Sequence, residues 1–105
     1  MEMALTFNEF IFTPVTHQNG LWIRSSELAK ALGYSDDRKV GVLYARHKDE
    51  FSNNMSVVLN LSTTDIPAMT RIFSLRGCHL VAMLARTHIA KAFRRWILDV
   101  IEQYG

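Results

Sequence analysis

One cysteine, two prolines and five glycines are all that the 105 residues hold of the residue types that staple or break a chain. With Cys78 alone, neither an internal disulfide nor a cysteine metal cluster can form, and a reducing, cytoplasmic setting is expected. No apolar run approaches the roughly eighteen residues that span a bilayer. Met1 to Thr6 is a plain start without a basic-then-apolar signal pattern, so no membrane is expected as a partner. A Gly-rich phosphate loop, a G-x-S-x-G turn, an H-E-x-x-H pair and carboxylates spaced for acid and base work are also absent. His17, His47, His79 and His88 fall on four different expected elements, so neither a metal nor a cofactor is expected. Cys78 and His79 are helical neighbours pointing about 100° apart, too divergent to pair as nucleophile and base. Cys78 is therefore expected as a small core residue and the chain as no enzyme.

What is present is a 49% hydrophobic chain, enough for one core and too short for two. Residues 1–105 are read as a single domain. Net charge is only +2, but its distribution is uneven. Between Asp65 and Asp99 no acidic residue occurs, while Arg71, Arg76, Arg86, Lys91, Arg94 and Arg95 all fall there. Such an interval makes either a positive surface that attracts phosphate or merely a solvated face whose Arg stems cover apolar surface.

Leu5, Phe7, Phe10, Phe12 and Val15 alternate roughly, interrupted by Asn8 and Glu9, and Asn19-Gly20 signals a hairpin into Leu21, Trp22 and Ile23. Two or three short antiparallel strands are expected, with Pro14 at an edge or bulge and Trp22 as a core ring. Ser25 or Ser26 then caps a helix carrying Leu28, Ala31 and Leu32, which Gly33 ends. Ser35 or Asp36 caps a second, with Val40, Leu43, Tyr44 and His47 as its apolar side and Arg38, Lys39, Arg46 and Lys48 outward. This is the plan of a helix-turn-helix: Ala29, Leu28, Leu32, Tyr34 and Val42 fit its apolar positions, Lys39 does not, with Val40 one residue late, and the turn is about a residue longer than usual. An ordinary helical hairpin fits as well.

Met55 to Leu61 alternates as a half-buried strand, Ser62 to Pro67 is a loop, and Thr70 to Phe73 returns. This hairpin is either a wing that brings Arg71 to a DNA backbone or an ordinary connection. Ser74 caps a buried helix from Leu75 to about Arg86, and Thr87 caps a last one. Its stripe is Ile89, Phe93, Trp96, Ile97, Val100, Ile101 and Tyr104, with Phe93 and Trp96 anchoring the core. That stripe packs back on the sheet, pairs with a second copy as a homodimer, or joined a longer chain.

Three separated blocks resemble the N-terminal domain of the BRO family. They are Trp22-Ile23-Arg24 with Glu27 to Tyr34, then Ile72 to Ser74 with Gly77, Leu80 and Met83, then Ala90 to Ile97. The likeness runs from about Phe7 to Tyr104. It implies a DNA-binding regulator of the phage and prophage antirepressor type, in which this module commonly precedes a variable C-terminal domain. The fold expected is α+β: a small antiparallel sheet, a hairpin, a helix-turn-helix-like pair and two packed C-terminal helices. Duplex DNA is the expected partner, met by Arg38, Lys39 and Arg46 with Arg24, Lys30 and Arg71 on phosphates, while Asp36 and Asp37 oppose it. The alternative is a protein-binding module that inactivates a phage repressor through the C-terminal apolar stripe and its Arg rim.

Overall fold

The computed structural model describes residues 5–104. Of the plain start expected over Met1 to Thr6, residues 1–4 lie outside the described residues, and Leu5 and Thr6 already belong to a strand. β1 (Leu5–Phe7) and β2 (Phe10–Phe12) pair antiparallel, Leu5 opposite Phe12 and Phe7 opposite Phe10. The interruption at Asn8 and Glu9 is their two-residue turn, both residues left-handed at φ 53° and 61°. Two left-handed residues twist a hairpin in the hand its strands prefer.

β3 (Val15–His17) and β4 (Gly20–Arg24) form a second hairpin. Its turn is one residue earlier than the Asn19-Gly20 signal: Gln18 and Asn19 take φ 51° and 63°, and Gly20 opens the strand. Pro14 lies between β2 and β3, where no ladder hydrogen bond is asked of it. β5 (Ser56–Asn60) and β6 (Met69–Ser74) are the expected second hairpin, but it is no separate wing. β6 also pairs with β4, giving a four-stranded sheet ordered β3-β4-β6-β5 with β6 inside it.

On one face of the sheet Ile23 and Phe73 lie opposite each other, both fully buried in the main core. Trp22 is buried outside that cluster, edge-on to His17 at 5.1 Å, its Nε1 donating to the His17 carbonyl at 2.9 Å. Strands β4 and β6 run directly into α1 (Ser25–Ala31) and α3 (Leu75–Leu84). Ser74 caps α3 as expected, its Oγ accepting from the Gly77 N–H at 3.1 Å. Neither Ser25 nor Ser26 caps α1: the chain turns helical immediately after the strand, so Arg24 is the N-cap and supplies no side-chain bond. Gly33, at φ 88°, ends α1. Its N–H donates to Lys30 O and that of Tyr34 to Ala29 O, satisfying the last carbonyls.

α2 (Lys39–Arg46) begins after a connection far longer than a helix-turn-helix turn, and neither Ser35 nor Asp36 caps it. Val42, which the helix-turn-helix pattern would bury, is 45% exposed, and Val40 fills the core instead. α3 stops at Leu84 rather than Arg86, and α4 (Ala90–Tyr104) starts three residues after Thr87. Thr87 does not cap it: its Oγ1 is buried without a hydrogen-bond partner. The α4 stripe packs back into the protein. Phe93, Ile97 and Val100 are buried, and Phe93 meets Phe7 edge-on at 5.1 Å while Trp96 stacks on Phe12 at 5.6 Å. The β1–β2 hairpin is thus held to α4 through aromatic rings.

Candidate nucleic-acid interface

α2 is fixed to the body of the fold by its inner side. Val40 is fully buried, and the Tyr44 ring packs against Phe51 and Phe73 with centroids 5.1 and 6.0 Å apart. Over the open face of Tyr44 lies the guanidinium of Arg71, 3.9 Å from the centroid. The same guanidinium donates through Nη1 to the buried Ser56 Oγ at 2.8 Å. Arg71 therefore braces α2 against the sheet rather than projecting from a hairpin tip.

Arg24 is also engaged internally. Its Nη1 donates to Thr13 O at 2.7 Å, and the Glu27 carboxylate accepts from Thr13 N at 3.1 and 3.3 Å. The two side chains grip both backbone polar groups of one residue, Thr13, where the chain passes from β2 to β3. Arg38 folds back on Asp36: Nε to Oδ1 is 3.1 Å, Nη2 to Oδ2 is 3.2 Å, and the Arg38 N–H adds a third bond at 2.9 Å. Those hydrogen bonds hold the Asp36 carboxyl below its ordinary range and raise Arg38 above its own. Each thereby cancels much of the other's charge, so the acidic group set against the helix start is already answered and Asp37 alone stays exposed there.

That leaves Lys30, Lys39 and Arg46 of the six expected contacts as exposed cations outside any ion pair among the described residues. Lys39 and Arg46 stand on one face of α2, seven residues apart with Val42 between them. They overlook a groove of about 520 Å³ between α2 and the end of α3, where Met83, Ala85 and Arg86 form the opposite wall. Among the described residues no carboxylate lines it. Lys30, in the last turn of α1, is not part of the groove.

Across Met83 the surface continues into a shallower groove between α3 and α4, flanked by His79, Lys91, Arg94 and Arg95 and, among the described residues, again free of carboxylates. Burial, and then the neighbouring Arg94, depress the His79 imidazole below its ordinary value, favouring its neutral form. Arg86, Lys91 and Arg95 were not among the six residues read as contacts, although the acid-free interval contains them all. Cys78 lies beneath this surface with its Sγ 3.8 Å from Phe73 O, and burial pushes its thiol up, so it stays protonated. Among the described residues, no three histidine, cysteine or acidic side chains gather as metal ligands. No described helix is long and apolar enough to cross a membrane.

No curated protein and no solved structure matches this chain. A family model does, from the second residue of β2 to the last turn of α4. With residues 11–103 matched by the model described as the BRO family, N-terminal domain, the chain belongs to that family.

Proposed function

We propose that the chain is a DNA-binding transcription regulator of the phage and prophage type, holding duplex DNA at the groove between α2 and the end of α3. The observation that carries this reading is the pairing of Lys39 and Arg46 on one wall with Arg86 on the other, with no carboxylate between them. Duplex DNA presents one negative charge per roughly 1.7 Å of axis, so three such cations each displace a counterion. An α-helix with its side chains is roughly 10–12 Å across, which matches the major-groove width of about 12 Å, and α2 exposes Lys39, Val42 and Arg46 along one side. Val42 then faces the bases, where a branched apolar group suits a thymine methyl. Lys30, in the last turn of α1, and Arg38, held by Asp36, lie outside the groove and are not counted among its contacts. Arg24 and Arg71, whose guanidinium groups are committed inside the fold, act by holding the β2–β3 passage and α2 in place.

The test is binding of a random-sequence duplex by fluorescence polarisation. Three phosphate contacts give a salt slope near −2.7, a loss of about 40-fold between about 50 and 200 mM salt. In Lys39→Ala/Arg46→Ala the slope falls to about −1 and the same salt step costs about 4-fold. Arg71→Ala lowers stability through loss of its tyrosine contact and leaves the slope unchanged. Absence of binding at the lower salt, or an unchanged slope in the double variant, overturns the reading.

A further inference from the structure

α4 carries its charges in two blocks. Lys91, Arg94 and Arg95 occupy its first half, Asp99 and Glu102 its second, and Leu98 stands between them, 48% exposed. Lys91, Arg95, Leu98 and Glu102 recur at intervals of four, three and four, which on a helix is one line along the surface. Beside that line α3 presents Met83, 59% exposed, and a shallow apolar groove of about 410 Å³ runs between the two helices. Among the described residues no ion pair engages any of the α4 charges. Arg95 and Glu102 cannot satisfy each other within one helix, because seven residues amount to about 10 Å of rise.

We propose that this face docks a second copy of the chain, with the two α4 helices antiparallel about a two-fold axis beside Leu98. Arg95 precedes Leu98 by three residues and Glu102 follows it by four, so that axis sets Arg95 of each copy against Glu102 of the other. A closed two-fold contact is made of one patch meeting itself, and every pair in it occurs twice. The charge order selects this occupant: cations followed by acids along one line are complementary to the same line turned round. A foreign helix of uniform charge meets repulsion over one half of it. Leu98 and Met83 from both copies then close an apolar centre between the charged ends, an arrangement that interface cores share. Its apolar centre is only Leu98 and Met83 from each copy, so the dimer is concentration-dependent. On α3 it takes in Met83, which also lines the α2 groove, but none of Lys39, Arg46 and Arg86 belongs to it, and because it is measured without DNA it stands or falls independently of DNA binding.

Sedimentation equilibrium of the whole chain tests it, over about 5 to 200 μM protein at about 50 mM salt. The weight-average mass is expected to rise from 12.0 kDa to about twice that value. Arg95→Glu and Glu102→Arg each hold it at the monomer mass, since each sets like charges together twice. The double reversal, Arg95→Glu/Glu102→Arg, restores the dimer, because the complementary order is kept with its signs exchanged. Both positions are exposed, so circular dichroism stays that of the parent in all three. A wild-type monomer throughout, the result if the face serves a different protein, overturns the proposal. A dimer indifferent to the single reversals overturns it too, and so does a double reversal that stays monomeric.

Discussion

Gly77→Ala is expected to cost about 3 kcal/mol or more of folding free energy, a large share of the roughly 5–15 kcal/mol that holds a domain together. Gly77 is buried in the first turn of α3, and its missing side chain is the reason a neighbouring strand can come so close. A Cβ there would overlap the Met55 carbonyl oxygen and sit 3.3 Å from the Phe73 Cβ. The first obstacle is backbone, so no rotamer change relieves it. Met55 O is moreover the acceptor for Ser74 N at 3.1 Å, and Ser74 is the residue that caps α3. Pushing Met55 away therefore loosens the junction between β6 and α3 as well as the entry to β5. Urea unfolding measures the loss as a lower midpoint, and Gly41→Ala serves as the internal contrast. At Gly41 an added methyl meets nothing within 4 Å, and helix propensity alone predicts a gain of roughly 0.5–1 kcal/mol. Equal effects of the two alanines would contradict the packing described for Gly77.

Phe93→Ala is the second large effect, at roughly 3–5 kcal/mol by the cost of emptying an aromatic site in a core. Phe93 has no exposed surface and lies among Phe7, Phe12 and Trp96, at centroid distances of 5.1, 6.4 and 5.3 Å. The loss falls unevenly on the molecule. β1–β2 is a two-stranded sheet of its own and is anchored to α4 by these rings, so its amides are expected to exchange with solvent faster than those of β4 and β6 in the variant. The Phe12→Ala/Phe93→Ala cycle should show a coupling of about 0.5–1.5 kcal/mol. Additive losses together with uniform exchange would separate the hairpin from that aromatic cluster.

The parts of the fold that depend on near neighbours were legible in the sequence. Ser74 as a cap, Gly33 as a terminator and the 3.6-residue stripe of α4 each follow from chemistry within a few residues. Where local rules erred, a second local option had won. Asn19 was able to take the left-handed conformation itself, which moved the turn back to Gln18-Asn19 and left Gly20 free to enter β4. Glu9 in that conformation carried no signal at all, since little but the flanking alternation marks it. Ser25, Ser26 and Thr87 were plausible caps by type, but the residue at the junction of β4 and α1 is Arg24 and both serines already lie inside the helix, whereas at the junction of β6 and α3 the residue is itself a serine, Ser74.

The placement of β6 inside the sheet was not legible, because its pairing with β4 joins segments far apart in the chain. The candidate site divides in the same way. The acid-free interval announced a positive surface, and Arg86, Lys91 and Arg95 lie on it. That α2 meets the end of α3 across a groove is a tertiary fact, as is the commitment of Arg24 to Thr13 and of Arg71 to Tyr44 and Ser56. A sequence counts guanidinium groups without showing which are already occupied.

The inner position of β6 also orders events in time. Trp22 pairs with Ser74 and Val57 with Ile72, so both β4 and β5 wait for a strand that is synthesised after them. Until the chain has emerged past Ser74, the ribosome carries two apolar segments with open backbone edges and a loop of about fifty residues still to be closed, the condition in which nascent proteins are most exposed to misassembly.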